Sequence, residues 1–369
     1  MESCALNLIE VVGVDKTVQN KIETQFLKTV HRDRKVKNAF LLVHSESHGI
    51  HINLSHGSKD SSSLSTQQPH YMASCGKLFT ATIFGQFHER GDVSFDDKIS
   101  SYLDDELMKQ LHLYKGKDYS GEIEIRHLLN QTSGLPDNFY PLFDKLLADP
   151  DFNITPREAV IWAKENLTPS APPGTKSYYT DTNYHLLGLI AEKVTGAPFH
   201  SVLSSMIFDP LGMDHAFMLQ VSEPRKKSSD RVADFYFKKR RLNDLRGFSG
   251  IDYAGGGVVA PPEELLIFMK ALVNGEIVSG ETLDLMKADK ANLFPNFEYG
   301  YGIWQVKPIP LLIPEKLKSW GVLGATGAFM FYHPKLDIYL IGNFNHSSYK
   351  QKCVRFMFKV INLLWKSRN

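Results

Sequence analysis

Strand patterns lie at the two ends of this chain and helical patterns fill its middle, and that ordering constrains the fold more than any single motif. Near the start, 38–44 and 48–54 read as two short strands joined by a polar turn, a hairpin. Near the end, 299–306 alternates as a strand, and 327–332 and 337–343 flank a turn at His333, Pro334 and Lys335 as a second hairpin. From about 77 to 213 the pattern is helical with almost no strands. A helix over 16–36, with Val18, Ile22, Phe26 and Val30 at spacing four, precedes the first hairpin, and an amphipathic helix over 349–366 closes the chain. Strands split between the two ends pack most simply into one sheet covered by the terminal helices. The expected fold is therefore α+β: an antiparallel sheet flanked by N- and C-terminal helices, with an inserted all-helical domain. The sheet domain takes 1–75 and 250–369, the helical domain 76–249, and a cleft lies between them.

A length of 369 residues suits two domains or one composite domain. The formal net charge of +1 gives no bulk attraction to nucleic acid or membrane. Cys4, Cys75 and Cys353 are few and far apart, which suits a reducing compartment and offers no cysteine metal site. The first ten residues have neither the basic nor the apolar region of a leader, and no apolar run approaches the roughly 18 residues of a membrane span. A cytoplasmic location is expected. His127, His185 and His333 have no carboxylate spacing that pairs them as ligands, so no metal and no cofactor is expected. The sequons at Asn53 and Asn130 matter only in a secreted chain. The stretch 225–246 is basic and reads as a solvated hairpin or loop, with a nucleic-acid patch as its rival. Ala254-Gly255-Gly256-Gly257 lacks a preceding βαβ pattern and runs into Pro261-Pro262, so it reads as a tight turn beside the core rather than a dinucleotide loop.

The chemistry begins at Ser74. Lys77 follows three residues later, and Phe79, Ile83 and Phe87 continue with helical spacing until Gly91. A helix starting near Ser74 puts serine and lysine on one face, with the positive end of the helix at the hydroxyl. A serine hydroxyl needs a neighbour to take its proton, and a lysine within reach can take it or help another base do so.

Further segments follow in order: Ile125 through Pro136 (IRHLLNQTSGLP), Pro173 through Gly188 with Tyr179-Thr180-Asp181 inside it, the glycines after Ala254, and Gly324 through Pro334 (GATGAFMFYHP). On these, from about residue 38 to the end, the chain resembles the serine β-lactamase and penicillin-binding-protein superfamily. The likeness is to its class C-like branch, which includes DD-peptidases, D-aminopeptidases and family VIII esterases. The resemblance implies that Ser74 is the acylated nucleophile, that Lys77 shares its proton network, and that Tyr179 is general base and then acid. It implies an oxyanion hole from the backbone N–H groups of Ser74 and Ala325. Tyr179 would need a cation such as Lys77 to lower its pKa. Asp181 stands where asparagine is commoner, and its carboxylate would hold Lys77 protonated, so which partner carries the proton at rest is open. The third motif is usually Lys or His, Thr or Ser, then Gly. Here it is Val322-Leu323-Gly324, without cation or hydroxyl, and Trp320 lies two residues earlier. Asp181, Trp320, Val322, Leu323 and Gly324 are the expected substrate-binding residues.

The expected function is a serine hydrolase working through an acyl-enzyme on a small-molecule ester or amide, with no nucleic-acid or membrane partner. The alternative is a catalytically impaired relative that binds a ligand or protein in the same cleft, motivated by the loss at Val322 and Leu323. Oligomeric state has no signal in the sequence.

Overall fold

The computed structural model describes residues 16–57 and 64–367. Cys4, the leader-free reading of the first ten residues and part of the serine-rich loop after 57 lie outside them. The helices that matter below are α1 (Lys16–Arg32), α2 (Gly76–Arg90), α3 (Ile125–Leu129), α4 (Phe139–Ala148), α5 (Pro156–Asn166), α6 (Thr182–Thr195), α7 (Pro262–Val273), α8 (Gly280–Ala288) and α9 (Lys352–Lys366). The strands of the large sheet are β1 (Asn38–Ser45), β2 (Ile50–Gly57), β3 (Ala291–Phe294), β4 (Phe297–Tyr299), β5 (Trp304–Val306), β6 (Trp320–Leu323), β7 (Phe329–His333) and β8 (Ile338–Asn343).

All neighbours in this sheet are antiparallel, in the order β3-β4-β5-β6-β7-β8-β1-β2. The two ends of the chain meet where β1 pairs with β8, with Phe40 opposite Asn343 and His44 opposite Tyr339. Every residue of β8 is buried, as a central strand covered on both faces requires. Helix α7 packs against β7, β8 and β1. Helix α1 buries Val18, Ile22, Phe26 and Val30, one per turn, and meets α9 edge-on through Phe26 and Phe356 at 6.3 Å. Truncating such a buried phenylalanine costs about 3–5 kcal/mol. The α+β architecture read from the sequence is the observed one.

Helix α2 is buried on all sides from Gly76 to Phe87, so it runs through the interior rather than over it. Phe79 stacks on Phe268 of α7 at 3.9 Å. The helix stops at Gly91, whose φ of +76° is left-handed.

Three expectations change. The 299–306 strand is two strands: β4 and β5 are joined by a turn closed by Gly300 N–H to the Ile303 carbonyl at 2.8 Å, with Gly302 at φ +68°. Alternation runs through the turn, so periodicity alone misses the reversal. Directly after Ile123 the helical pattern expected over 77–213 yields only the short α3, whose start Glu124 and His127 cap reciprocally; beyond it Gln131 and Gly134 take positive φ. Helices α4 and α8 are additional. The basic 225–246 stretch is a loop carrying a small hairpin, Tyr236–Phe237 against Arg240–Arg241. Arg225 and Lys226 pair with Asp214, and Arg241 with Asp234 and Asp244. No helix among the described residues is long and apolar enough to cross a membrane.

Candidate active site

The segment 70–77 is fixed from both sides before it reaches its chemistry. His70–Tyr71 pairs with Val258–Ala260, which also pairs with Phe217–Met218. Met72 N–H donates to the Val258 carbonyl at 2.9 Å. Ala73 then turns with φ +49°, a left-handed conformation that costs an alanine of order 1–3 kcal/mol and persists only where the surroundings impose it. Ser74 sits in the 3₁₀ turn Ala73–Cys75, and α2 begins two residues later. The helix therefore starts later than the sequence suggested, but Lys77 still faces the serine.

Glycine lets two backbones touch here. A Cβ on Gly76 would stand 1.8 Å from the Gly256 carbonyl oxygen. That approach brings the 254–257 turn against α2 and gives the buried ammonium of Lys77 a carbonyl: Nζ donates to Gly255 O at 2.7 Å. Nζ also donates to Asp181 Oδ1 and, at 3.4 Å, to Ser74 Oγ. It lies 5.2 Å from the ring centre of Tyr179 and 5.0 Å from that of Tyr184. Burial by itself would push the Lys77 pKa down, but Asp181, with Tyr299 and Asp252, raises it above the ordinary lysine value. Lys77 is an ammonium at rest.

Asp181 occupies the residue before α6, yet its side chain makes no capping hydrogen bond. Its carboxylate goes to Lys77 instead. The phenol of Tyr179 interacts with Ser74, and its pKa is pushed well above the ordinary value by burial and then by Asp181, the interaction with Ser74 acting the other way. This reverses the expectation that Lys77 would lower it: Asp181 offsets the field of the ammonium. Tyr179 is a neutral phenol at rest.

Two more carboxylates reach the same place. Asp252 is buried, accepts from Tyr71 Oη and from Gly257 N–H at 2.6 Å, and burial lifts its pKa to about 6 against the pull of Lys77. Asp137 accepts from Asp181 N–H at 2.9 Å through Oδ1, and burial with the Asp181 charge lifts it to about 6 as well. Sequence reasoning singled out neither. Asp137 directly follows Pro136 of the quoted IRHLLNQTSGLP segment, and Asp252 precedes the glycine turn by two residues. Proximity to those segments was the available signal.

A cavity of about 560 Å³ opens over Ser74, lined on this side by Tyr179, Asp181, Asp137 and Asp252 and walled by aromatic side chains. Ser74 and Ala325 both line it, and neither backbone N–H donates to an acceptor among the described residues. Two such donors are what an oxyanion hole requires. Leu323 and Gly324 line the cavity too; a Cβ on Gly324 would lie 2.6 Å from the Met72 carbonyl oxygen.

Val322 and Trp320 do not. Residues two apart on a strand share a face, and β6 turns Val322 into the core with no exposure. Trp320 is edge-on to Tyr332 at 6.0 Å and lines a separate cavity with Gln305 and Lys335. The tryptophan on the Ser74 cleft is Trp304, stacked on Tyr179 at 5.9 Å, its buried Nε1 without a partner among the described residues. Lys350 and Arg355 stand exposed at the cleft mouth.

The chain matches the Beta-lactamase family model over residues 29–359. It is 26% identical over 322 residues to penicillin-binding protein 4* of Bacillus subtilis, an alignment that takes in 79% of this chain and 64% of the relative's length. The D-amino acid amidase of Ochrobactrum anthropi SV3, in complex with L-phenylalanine, superposes with a TM-score of 0.79 at 23% identity, covering 96% of this chain and all of that one. EstCE1, a hydrolase with promiscuous acyltransferase activity, superposes with a TM-score of 0.77 at 18% identity, covering 95% and 99%. Because the family model spans nearly the whole of the described fold and its sheet, helices and cleft, the chain belongs to the Beta-lactamase family.

Proposed function

We propose that this chain is a serine hydrolase that turns over small esters or amides through an acyl-enzyme on Ser74. The observation that carries the reading is the contact of Ser74 with both Lys77 and Tyr179, inside a cleft that also offers two backbone N–H donors. Ser74 Oγ attacks the substrate carbonyl, whose oxygen is held by the N–H groups of Ser74 and Ala325. Tyr179 is neutral, so it acts as a relay rather than a standing base. It receives the serine proton as it passes its own to the leaving oxygen or nitrogen, and it stays uncharged overall. Lys77, kept charged by Asp181, orients Ser74 and stabilises negative charge that builds on the two oxygens. Water then attacks the acyl-enzyme by the same relay in reverse. Amide and ester substrates are consistent with the amidase and the hydrolase that share the fold.

A second reading, a binding protein that no longer turns over substrate, draws on Val322 and Leu323, which supply neither cation nor hydroxyl. Fluorophosphonate labelling separates the two. The hydrolase reading expects one covalent group on the peptide containing Ser74, with labelling and p-nitrophenyl acetate turnover both abolished in Ser74→Ala. Labelling that persists in Ser74→Ala would sink the assignment.

A further inference from the structure

A second chamber of about 490 Å³ adjoins the first, lined by Ala73 and Ala325 but not by Ser74 itself. It shares Tyr71, Ala73, Phe139, Tyr140, Ala325 and Lys350 with the first. Its body is apolar, formed by Phe143, Phe237, Leu242 and Phe248. Lys35, Lys238, Lys239 and Lys350 line it, all exposed, and no carboxylate does. The loop that carries Lys238 and Lys239 is pinned in place: Lys238 N–H donates to Ser347 Oγ at 3.0 Å, and its carbonyl accepts from His346 Nε2 at 2.6 Å. On the chamber wall, Thr326 is buried and its Oγ1 has no partner among the described residues.

Resting on the hydrolase reading, we infer that this chamber takes the acyl group of the substrate, and that it selects acyl chains with an apolar body and a distal carboxylate. The direction follows from proton transfer. The leaving group must reach Tyr179, and Tyr179 and Asp181 line only the first cavity. The acyl group is attached to the other side of the carbonyl carbon, so it extends past Ala325 into the second chamber. There the aromatic walls cover its methylenes, Thr326 offers a hydroxyl, and four exposed ammonium groups meet its far end, Lys350 held by Tyr140 Oη at 3.1 Å and Lys238 over the ring of Phe237. A terminal carboxylate is the group that such a mouth favours.

The test uses matched p-nitrophenyl esters of four to eight carbons, each ending in methyl or in carboxylate, with the full chain. At low ionic strength the carboxylate ester should exceed its methyl partner in kcat/KM by about tenfold at the longer lengths. The ratio should collapse toward one as salt shortens the screening length to roughly 3 Å near 1 M. Lys238→Glu with Lys239→Glu should bring the low-salt ratio below one, and Lys238→Gln with Lys239→Gln should leave it between. A ratio at or below one in the unaltered protein, or one that the charge reversals do not move, would overturn the inference while p-nitrophenyl acetate turnover and Ser74 labelling leave the hydrolase reading intact. Loss of both acetate turnover and labelling in the unaltered protein would overturn the hydrolase reading and this inference with it.

Discussion

The two chambers that share Ala73 and Ala325 hold charge in opposite ways. On the Tyr179 side, Lys77, Asp181 and Asp252 are buried, with Asp181 paired to Lys77 and backbone groups bonding Lys77 and Asp252. On the far side, four lysines stand in solvent around an apolar hollow. The difference separates two jobs. A buried charge cannot be screened, so it fixes which groups carry protons and how the chemistry runs. An exposed charge contributes little to stability and is felt only over about 10 Å at 0.1 M salt, so it biases which substrate is preferred. Changes on the first side should alter rate constants and pH behaviour; changes on the second should alter selectivity and its salt dependence.

The sharpest way to break that division is Tyr179→Phe. It keeps the ring edge-on to Tyr299 and stacked on Trp304 and removes only the hydroxyl. We expect kcat to fall by at least about 10²-fold with KM little changed, the lower range for losing a proton-transfer group. Steady-state kinetics on p-nitrophenyl acetate decides it; a near-normal kcat would move the relay to Lys77 alone.

A smaller effect concerns the wall of the Ser74 cleft, where Leu323 stands. A cephalosporin brings a carboxylate beside the bond attacked, and the wall meets it with Leu323. A missing charge-assisted hydrogen bond is worth about 1.5–3 kcal/mol, or roughly 10- to 100-fold in kcat/KM. p-Nitrophenyl butyrate should outrun a chromogenic cephalosporin by that margin, and Leu323→Thr should narrow the gap. Val322→His should not, because that side chain lies in the core; burying an unpaired imidazole there should cost stability instead. Rapid cephalosporin hydrolysis by the unaltered protein would mean that Lys350 or Arg355 already supplies the cation.

The smallest effect is thermodynamic. Asp252 titrates near 6 when folded and near 3.8 in an ordinary environment. Between those values the folded chain binds more protons than the unfolded one, so this group's contribution to stability is present in full below about 4 and is lost as pH rises through about 6. Asp252→Asn should remove that fall. Thermal melts from pH 4 to 7.5 should show the Tm of the parent dropping relative to the variant, and parallel profiles would count against a buried, proton-hungry Asp252.

Much of this was legible in the sequence, and the failures share a cause. Val18 to Val30 at spacing four, the hairpins at both ends and the Ser74–Lys77 pair depend only on local periodicity, which short segments carry unaided. Asp252 was missed because nothing local distinguishes it; its partners Tyr71 and Lys77 are about 180 residues away. Trp320 is expected at the site because it lies two residues before Val322-Leu323-Gly324, but the face that β6 presents is not legible in the sequence, and Trp304 lines the Ser74 cleft instead. Strand parity is set by pairing with β5 and β7, and a shift of one residue sends a side chain to the other surface. Asp181 directly precedes α6, where an aspartate often caps a helix, and only the fold shows that its carboxylate goes to Lys77 and makes no capping hydrogen bond.

The pairing of β1 with β8 also has a consequence in time. Phe40 and Asn343 are opposite one another, so the first hairpin leaves the ribosome with one edge open and waits for a strand made some 300 residues later. At about 5–20 residues per second that wait is roughly 15–60 s. During most of it Lys77 has no Gly255 carbonyl, Ser74 no opposite wall, and the apolar α2 no α7 to cover it. A newborn chain of this kind is inert until β8 has been made, and its vulnerability to aggregation is concentrated in that interval rather than in the folded molecule.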